Sequence, residues 1–196
     1  TKPYDAEKLK GYLPELRGMT VKKPEKFLPR MREIFAECGI AFVLLPHLKN
    51  SGVNGAVKWI TEDRVVLAMN NRGLDADKFW FSLFHEIKHV LQQKIKTVFV
   101  SSTVEEMIDM NNNLEAQADK FATNYLISPA DYKRLAPSRY TSDDEIVAFA
   151  KTIGIHPGIV AGRLQHEGII AQNRCTKLKE KYVIEIKHKS CSFPVK

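Results

Sequence analysis

The sequence predicts an α+β fold in which a small antiparallel or mixed sheet packs on one long apolar helix, followed by a helical unit. Three observations predict it. Residues 40–69 hold a short apolar run and then a hairpin pattern. From Asp75, apolar residues recur around much of a helix circumference. Beyond residue 142, two amphipathic helices flank Gly154.

In chain order, residues 4–18 read as a helix that Pro14 interrupts. Pro24 opens a clearer one to about Cys38, with Phe27, Met31, Ile34 and Phe35 at helical spacing and Gly39 at its end. Ile40 to Leu45 reads as a buried strand stopped by Pro46. Gly52 and Gly55 mark a turn. Gly55 to Ile60 and Arg64 to Met69 form a hairpin through Thr61-Glu62-Asp63, and Asn70 to Gly73 is a loop. Asp75 to about Gln93 is the strongest helix. Phe79, Trp80, Leu83, Phe84, Ile87, Val90 and Leu91 send it through the core.

Residues 97–113 read as a polar connection with a short helix near Val104 to Met110. A second core helix is expected from about Asn113 to Ile127, ended by Ser128-Pro129, with a further turn of helix to Leu135. Pro137-Ser138 marks a boundary. The expected divisions are therefore 1–136, a helical helix-turn-helix-like unit at 137–170, and a tail at 171–196 with a strand-like stretch from Lys181 to Lys187. In the helical unit, Ile146, Val147, Phe149 and Ala150 define one helix, and Ile159, Val160 and Leu164 define another opened by Pro157.

Composition narrows the class. At 196 residues, 44% hydrophobic and 27% charged, the chain suits a single globular domain or one with a small appendage. No 18-residue apolar stretch or secretory signal is visible, so a cytoplasmic protein with no membrane partner is expected. Three cysteines, Cys38, Cys175 and Cys191, suit free thiols in a reducing compartment, with a Cys175–Cys191 pair as the alternative. The chain opens on Thr1 rather than Met, which fits a piece of a longer polypeptide. Much of the net charge of +7 lies in the tail, where seven basic residues face Glu180 and Glu185. Such a tail either touches nucleic acid or an acidic partner, or is a solvated surface.

The chemistry concentrates in His85-Glu86-Ile87-Lys88-His89. Two histidines four apart on a helix project from one face and can reach one zinc ion. Glu86 then stands beside the metal, where its carboxylate can take a proton from a water there. The plainer reading is two surface histidines on a core helix. A catalytic zinc requires a third protein ligand, and Glu115 lies 26 residues after His89, far enough for a return helix. Asp119, one turn on, can accept the second ring N–H of a ligating histidine. Ala118 and Ala122 would let the two helices approach closely.

His85-Glu86-x-x-His89 with Glu115-x-x-x-Asp119 and Phe121-Ala122 resembles the ImmA/IrrE family of metallo-endopeptidases. The resemblance spans roughly residues 4–170. It includes the hairpin before the metal helix, Ile127-Ser128-Pro129, and the segment from Ile155 to Leu164. It implies a zincin-like fold, zinc held by His85, His89 and Glu115, and Glu86 as catalytic base. It also implies a helix-turn-helix repressor as substrate, in a stress, mobile-element or toxin–antitoxin-like setting, or an upstream DNA-binding domain fused to this one. Lys88 departs from the small residue, usually Gly, that relatives carry there; it either crowds the site or points to solvent. His156 replaces a small polar residue and reads as a helix-entry residue.

Tyr125, Tyr132 and His166 are candidate oxyanion donors by residue type alone, each more readily structural. Arg64 to Met69 is expected at the sheet edge, where an extended substrate could pair with it. Residues 101–113 are expected to flank the cleft, with Glu105, Glu106 and Asp109 attracting a basic substrate or keeping the loop solvated. His47 and His188 read as surface residues, and Trp59 and Trp80 as packing residues. A reading from a different class remains beside the enzyme: a DNA-binding regulator or antitoxin-like protein in which the peptidase fold senses or scaffolds. The helix-turn-helix outline and basic tail favour it; the scarcity of base-reading groups beyond Arg163 and His166 counts against it.

Overall fold

The computed structural model describes residues 2–45, 54–70, 75–92, 104–135 and 142–182. Helices α1 (Ala6–Gly18) and α2 (Pro24–Glu37) lead into strand β1 (Ile40–Leu45). The hairpin is β2 (Gly55–Thr61) and β3 (Arg64–Asn70). Then come α3 (Ala76–Leu91), α4 (Val104–Leu126), α5 (Pro129–Leu135), α6 (Asp143–Ile153) and α7 (Pro157–His166). The class is α+β, with a three-stranded mixed sheet. Among the described residues no helix is long and apolar enough to cross a membrane.

Local chemistry accounts for most boundaries. Asp5 accepts from the Lys8 amide at 2.9 Å and caps α1. Pro14 does not interrupt that helix, contrary to expectation. It removes one backbone donor, but Leu9, Leu13 and Leu16 bury a full stripe that holds the segment helical. Gly39 takes a φ of 74° at the turn between α2 and β1, where an added Cβ would strike the Pro3 carbonyl at 2.4 Å. Ser142 and Glu145 form a capping box at the start of α6, and Gly154 closes it at a φ of 67°.

Two further expectations need correction. β3 is not an edge strand: the order is β1-β3-β2, with β1 parallel and β2 antiparallel to it. The apolar run of β1 needs a pairing partner, and β3 supplies it while burying Val65, Leu67 and Met69. β2, with its half-exposed pattern, takes an edge. Second, the short helix expected near Val104 to Met110 and the rest of the polar connection up to Asn113 join the core helix in one 23-residue α4, while residues 97–103 lie outside the described residues. No Gly or Pro lies between 104 and 126, and each Asn of the 111–113 run costs a helix less than ~0.7 kcal/mol.

One hydrophobic cluster runs from Leu9 through Phe27, Trp80 and Ala122 to Ile146, Val160 and Leu164. Helix α7 packs on α3 and buries Ile159, Val160, Ala161 and Leu164. The chain then returns to α3: Lys181 bridges Asp75, and the Tyr182 hydroxyl accepts from Trp80 Nε1 at 2.8 Å. Trp80 is a packing residue, and Trp59 meets Tyr4 edge-on. Cys38 and Cys175 are buried free thiols. Cys191, His47, His188, the boundary at Pro137-Ser138 and the strand-like residues beyond 182 lie outside the described residues.

Arg17 joins the C-terminal ends of α4 and α6. Its guanidinium donates to the carbonyls of Tyr125 at 3.0 Å and Leu126 at 2.9 Å, and to Ile153 at 2.8 Å. One cation thereby satisfies the C-terminal carbonyls of both α4 and α6.

Candidate metal centre

The site lies where α3 and α4 face each other. Ala118 and Ala122 are fully buried along this contact, which brings the helix backbones close. The four-residue spacing sets His85 and His89 on one face of α3, and the same spacing sets Glu115 and Asp119 on the opposing face of α4. The three expected ligands and Asp119 meet here.

The donor atoms converge. His85 Nε2 lies 2.9 Å from His89 Nε2 and 3.2 Å from Glu115 Oε2, and His89 Nε2 lies 3.3 Å from the same oxygen. Ligands ~2.0–2.1 Å from a tetrahedral zinc stand about 3.3 Å apart, so the three atoms fit such an ion. The far ring nitrogens reinforce this. His85 Nδ1 is 2.8 Å from Asp119 Oδ1, and His89 Nδ1 is 3.0 Å from Gln92 Oε1. Gln92 Nε2 donates to the Leu114 carbonyl at 3.2 Å, which turns its oxygen towards His89. With both Nδ1 atoms donating, both Nε2 lone pairs face each other and a carboxylate. Three acceptors so placed could hold a metal ion between them. Burial pushes the His89 pKa down; the Glu115 carboxylate opposes this and His85 adds to it. The lowered pKa favours the neutral imidazole that ligates metals.

Glu86 is buried beside this cluster, 8% exposed, on the side of α3 that meets the sheet. A Cβ on Gly55, the first residue of β2, would stand 2.6 Å from Glu86 Cγ and 3.0 Å from its Oε1. Glycine at that strand position is what makes room for the carboxyl group. Lys88 does not crowd the site. Its ammonium lies over the Phe121 ring, 5.9 Å from the centroid.

The oxyanion candidates are placed differently from one another. Tyr125 stacks on Phe84 with centroids 5.2 Å apart, and the Tyr132 hydroxyl donates to Glu167, so both serve packing or structure. His166 lines a cavity of about 300 Å³ that runs alongside α3 past Phe81 and Ser82. Asp109 is exposed on α4, and the side chains of Glu105 and Glu106 lie outside the described residues. Sequence reasoning missed Gln92 and Gly55. A glutamine three residues after a ligating histidine, and a glycine opening the strand before the metal helix, are the signals that point to them.

Asp119→Ala is expected to weaken zinc binding by about 10–100-fold, because it frees the His85 ring without removing a ligand. Competition with a chromophoric chelator measures it. The chain matches no protein-family model and no curated protein sequence.

Proposed function

We propose that this chain is a zinc-dependent endopeptidase of zincin-like fold, similar to the ImmA/IrrE family, that cleaves a helix-turn-helix repressor or other regulatory protein in the cytoplasm. The observation that carries the reading is the convergence of His85, His89 and Glu115 on one ion-sized space, with Glu86 buried beside it. A buried carboxylate next to facing imidazoles and a second carboxylate is expensive without a role.

His85, His89 and Glu115 would hold the zinc, and Asp119 and Gln92 would fix the two imidazoles. A zinc ion there supplies Lewis acidity towards the scissile carbonyl and makes water nucleophilic near neutral pH. Glu86 accepts the water proton at its carboxylate and returns it to the leaving amine. Among the described strands β2 lies at an end of the sheet and begins at Gly55 against Glu86, which supports an extended peptide laid along it. The regulator reading draws no support from α7, whose apolar face is buried on α3.

Zinc content measured by mass spectrometry on the purified chain, with incubation against candidate repressors, tests the proposal. One zinc per chain and a discrete cut are expected. A chain prepared without chelator that holds far less than one zinc would overturn it. Gly55→Ala is expected to retain zinc and KM but lower kcat by about 10²-fold, since a shift of ~1 Å in the base is enough for that loss. Steady-state kinetics on any cleaved peptide checks it.

A further inference from the structure

The cavity of about 300 Å³ continues the groove between α3 and α4 beyond the candidate metal centre. Ser82 on α3 stands three residues before His85, and Thr123 on α4 stands four after Asp119; both line the cavity. It therefore begins about one helical turn, ~5.4 Å, along the same two helices from the His85–Asp119 contact. Phe81 lines it too, with its ring 6.3 Å from the His85 ring. Asn54 joins the wall from the other side, and the next residue is Gly55, which lies against Glu86. Ligand, candidate base and cavity thus share the same three segments. An extended peptide advances ~3.3 Å per residue. A peptide whose scissile carbonyl sits at the ion therefore brings a side chain to the cavity within about two residues of the cut.

The wall selects what that side chain can be. Leu126, Ile127 and Ile159 line the cavity and are almost wholly buried. Gln165 is equally buried, but its amide nitrogen is spent on the carbonyls of Gln172 and Arg174. Phe81 is the exception among the large apolar residues of the wall: it stays 36% exposed. A guest that covers this ring removes apolar surface from water and gains a ring contact. Every Lys, Arg and Asp side chain on the wall already has an opposite charge beside it: Lys78 with Asp75, Lys179 with Asp77, and Arg163 with Glu167. A charged guest would have to break one of these pairs or go without a counterion. Size points the same way. A cavity of ~150 Å³ with Leu, Ile and Phe walls holds benzene, so one of about 300 Å³ takes a phenyl or isobutyl group with room for its stem.

We propose that this cavity is the specificity pocket of the site, and that it receives a large apolar side chain, phenylalanine or leucine, within two residues of the bond being cut. The pocket's role in cleavage rests on the peptidase reading; its apolar recognition does not.

Two measurements separate the two. In the first, the isotope-labelled full chain is titrated with toluene, benzoate and benzylammonium, and followed by NMR. Toluene is expected to shift the methyl signals of Ile127 and Ile159, and to bind at least about tenfold more tightly than either charged relative. Thr123→Phe fills the cavity from a half-buried position, and Phe81→Ala removes its exposed ring. Each is expected to weaken toluene binding about tenfold at unchanged zinc content. No response at either isoleucine, equal response to the three probes, or unchanged toluene binding in both folded variants overturns the proposal. In the second, the zinc-loaded chain is incubated with a peptide library and the cut bonds are sequenced. Phenylalanine and leucine enriched about tenfold over alanine and aspartate at one fixed position within two residues of the cut, with alanine gaining in Thr123→Phe, supports the pocket. Cleavage with no such enrichment overturns its role while the peptidase reading stands. A toluene response with no cleavage of any peptide overturns the peptidase reading and supports the apolar site.

Discussion

Glu86→Gln is expected to leave one zinc bound per chain and to slow peptide cleavage by about 10²–10⁴-fold, the usual share of a general acid–base residue. The substitution keeps the shape that Gly55 accommodates, so packing is preserved. It removes the only property a proton acceptor needs. The ligand set of His85, His89 and Glu115 is untouched, which is why metal content and rate should part company. Parallel zinc analysis and kinetics decide it: a variant that cuts at the native rate would assign the base elsewhere.

Glu115→Ala should act on the opposite half of the site. It removes the oxygen that lies 3.2 and 3.3 Å from the two Nε2 atoms, leaving two imidazoles to hold the ion. The loss in zinc affinity should exceed ~100-fold, the upper range for a residue that only orients a ligand. Stability reports the same event. A ligand present at about 100 times its Kd stabilises the native state by ~2.7 kcal/mol, or roughly 5–10 °C in Tm for a chain of this size. Added zinc should raise the Tm of the native chain by that order and leave Glu115→Ala nearly unmoved. Differential scanning calorimetry with and without chelator makes the comparison, and an equal shift in both chains would remove Glu115 from the site.

What the sequence made legible follows its periodicities. The spacings His85/His89 and Glu115/Asp119 survive because four residues always share a helix face, so the facing pairs could be read without knowing how α3 and α4 pack. The helix stripes at Phe27 to Phe35 and Phe79 to Val90 were equally plain. Sheet order was not, because it depends on which strand pairs with the apolar run at Ile40–Leu45, and a strand's pattern does not name its neighbour. Pro14 and the Asn111–Asn113 run misled for a related reason: local propensity predicts a break, and burial of Leu13, Leu16, Leu114 and Ala118 overrides it. Gln92 and Gly55 owe their roles in part to groups distant in sequence, the Leu114 carbonyl and the Glu86 side chain respectively, and the chain pattern does not announce those partners.

The Arg17 clamp has a consequence for how α4 opens. Its last carbonyls are held by a cation rooted in α1, whatever occupies the other end. Among the described residues, the turns around Glu115 are tied to α3 by side chains, Gln92 on the Leu114 carbonyl and His85 on Asp119, which an ion between His85, His89 and Glu115 would reinforce. Amide hydrogen exchange along α4 should therefore be graded in the metal-free chain, slow near Leu126 and faster towards Asn112. Zinc flattens the gradient, turning a helix more firmly tethered at one end into a single protected unit.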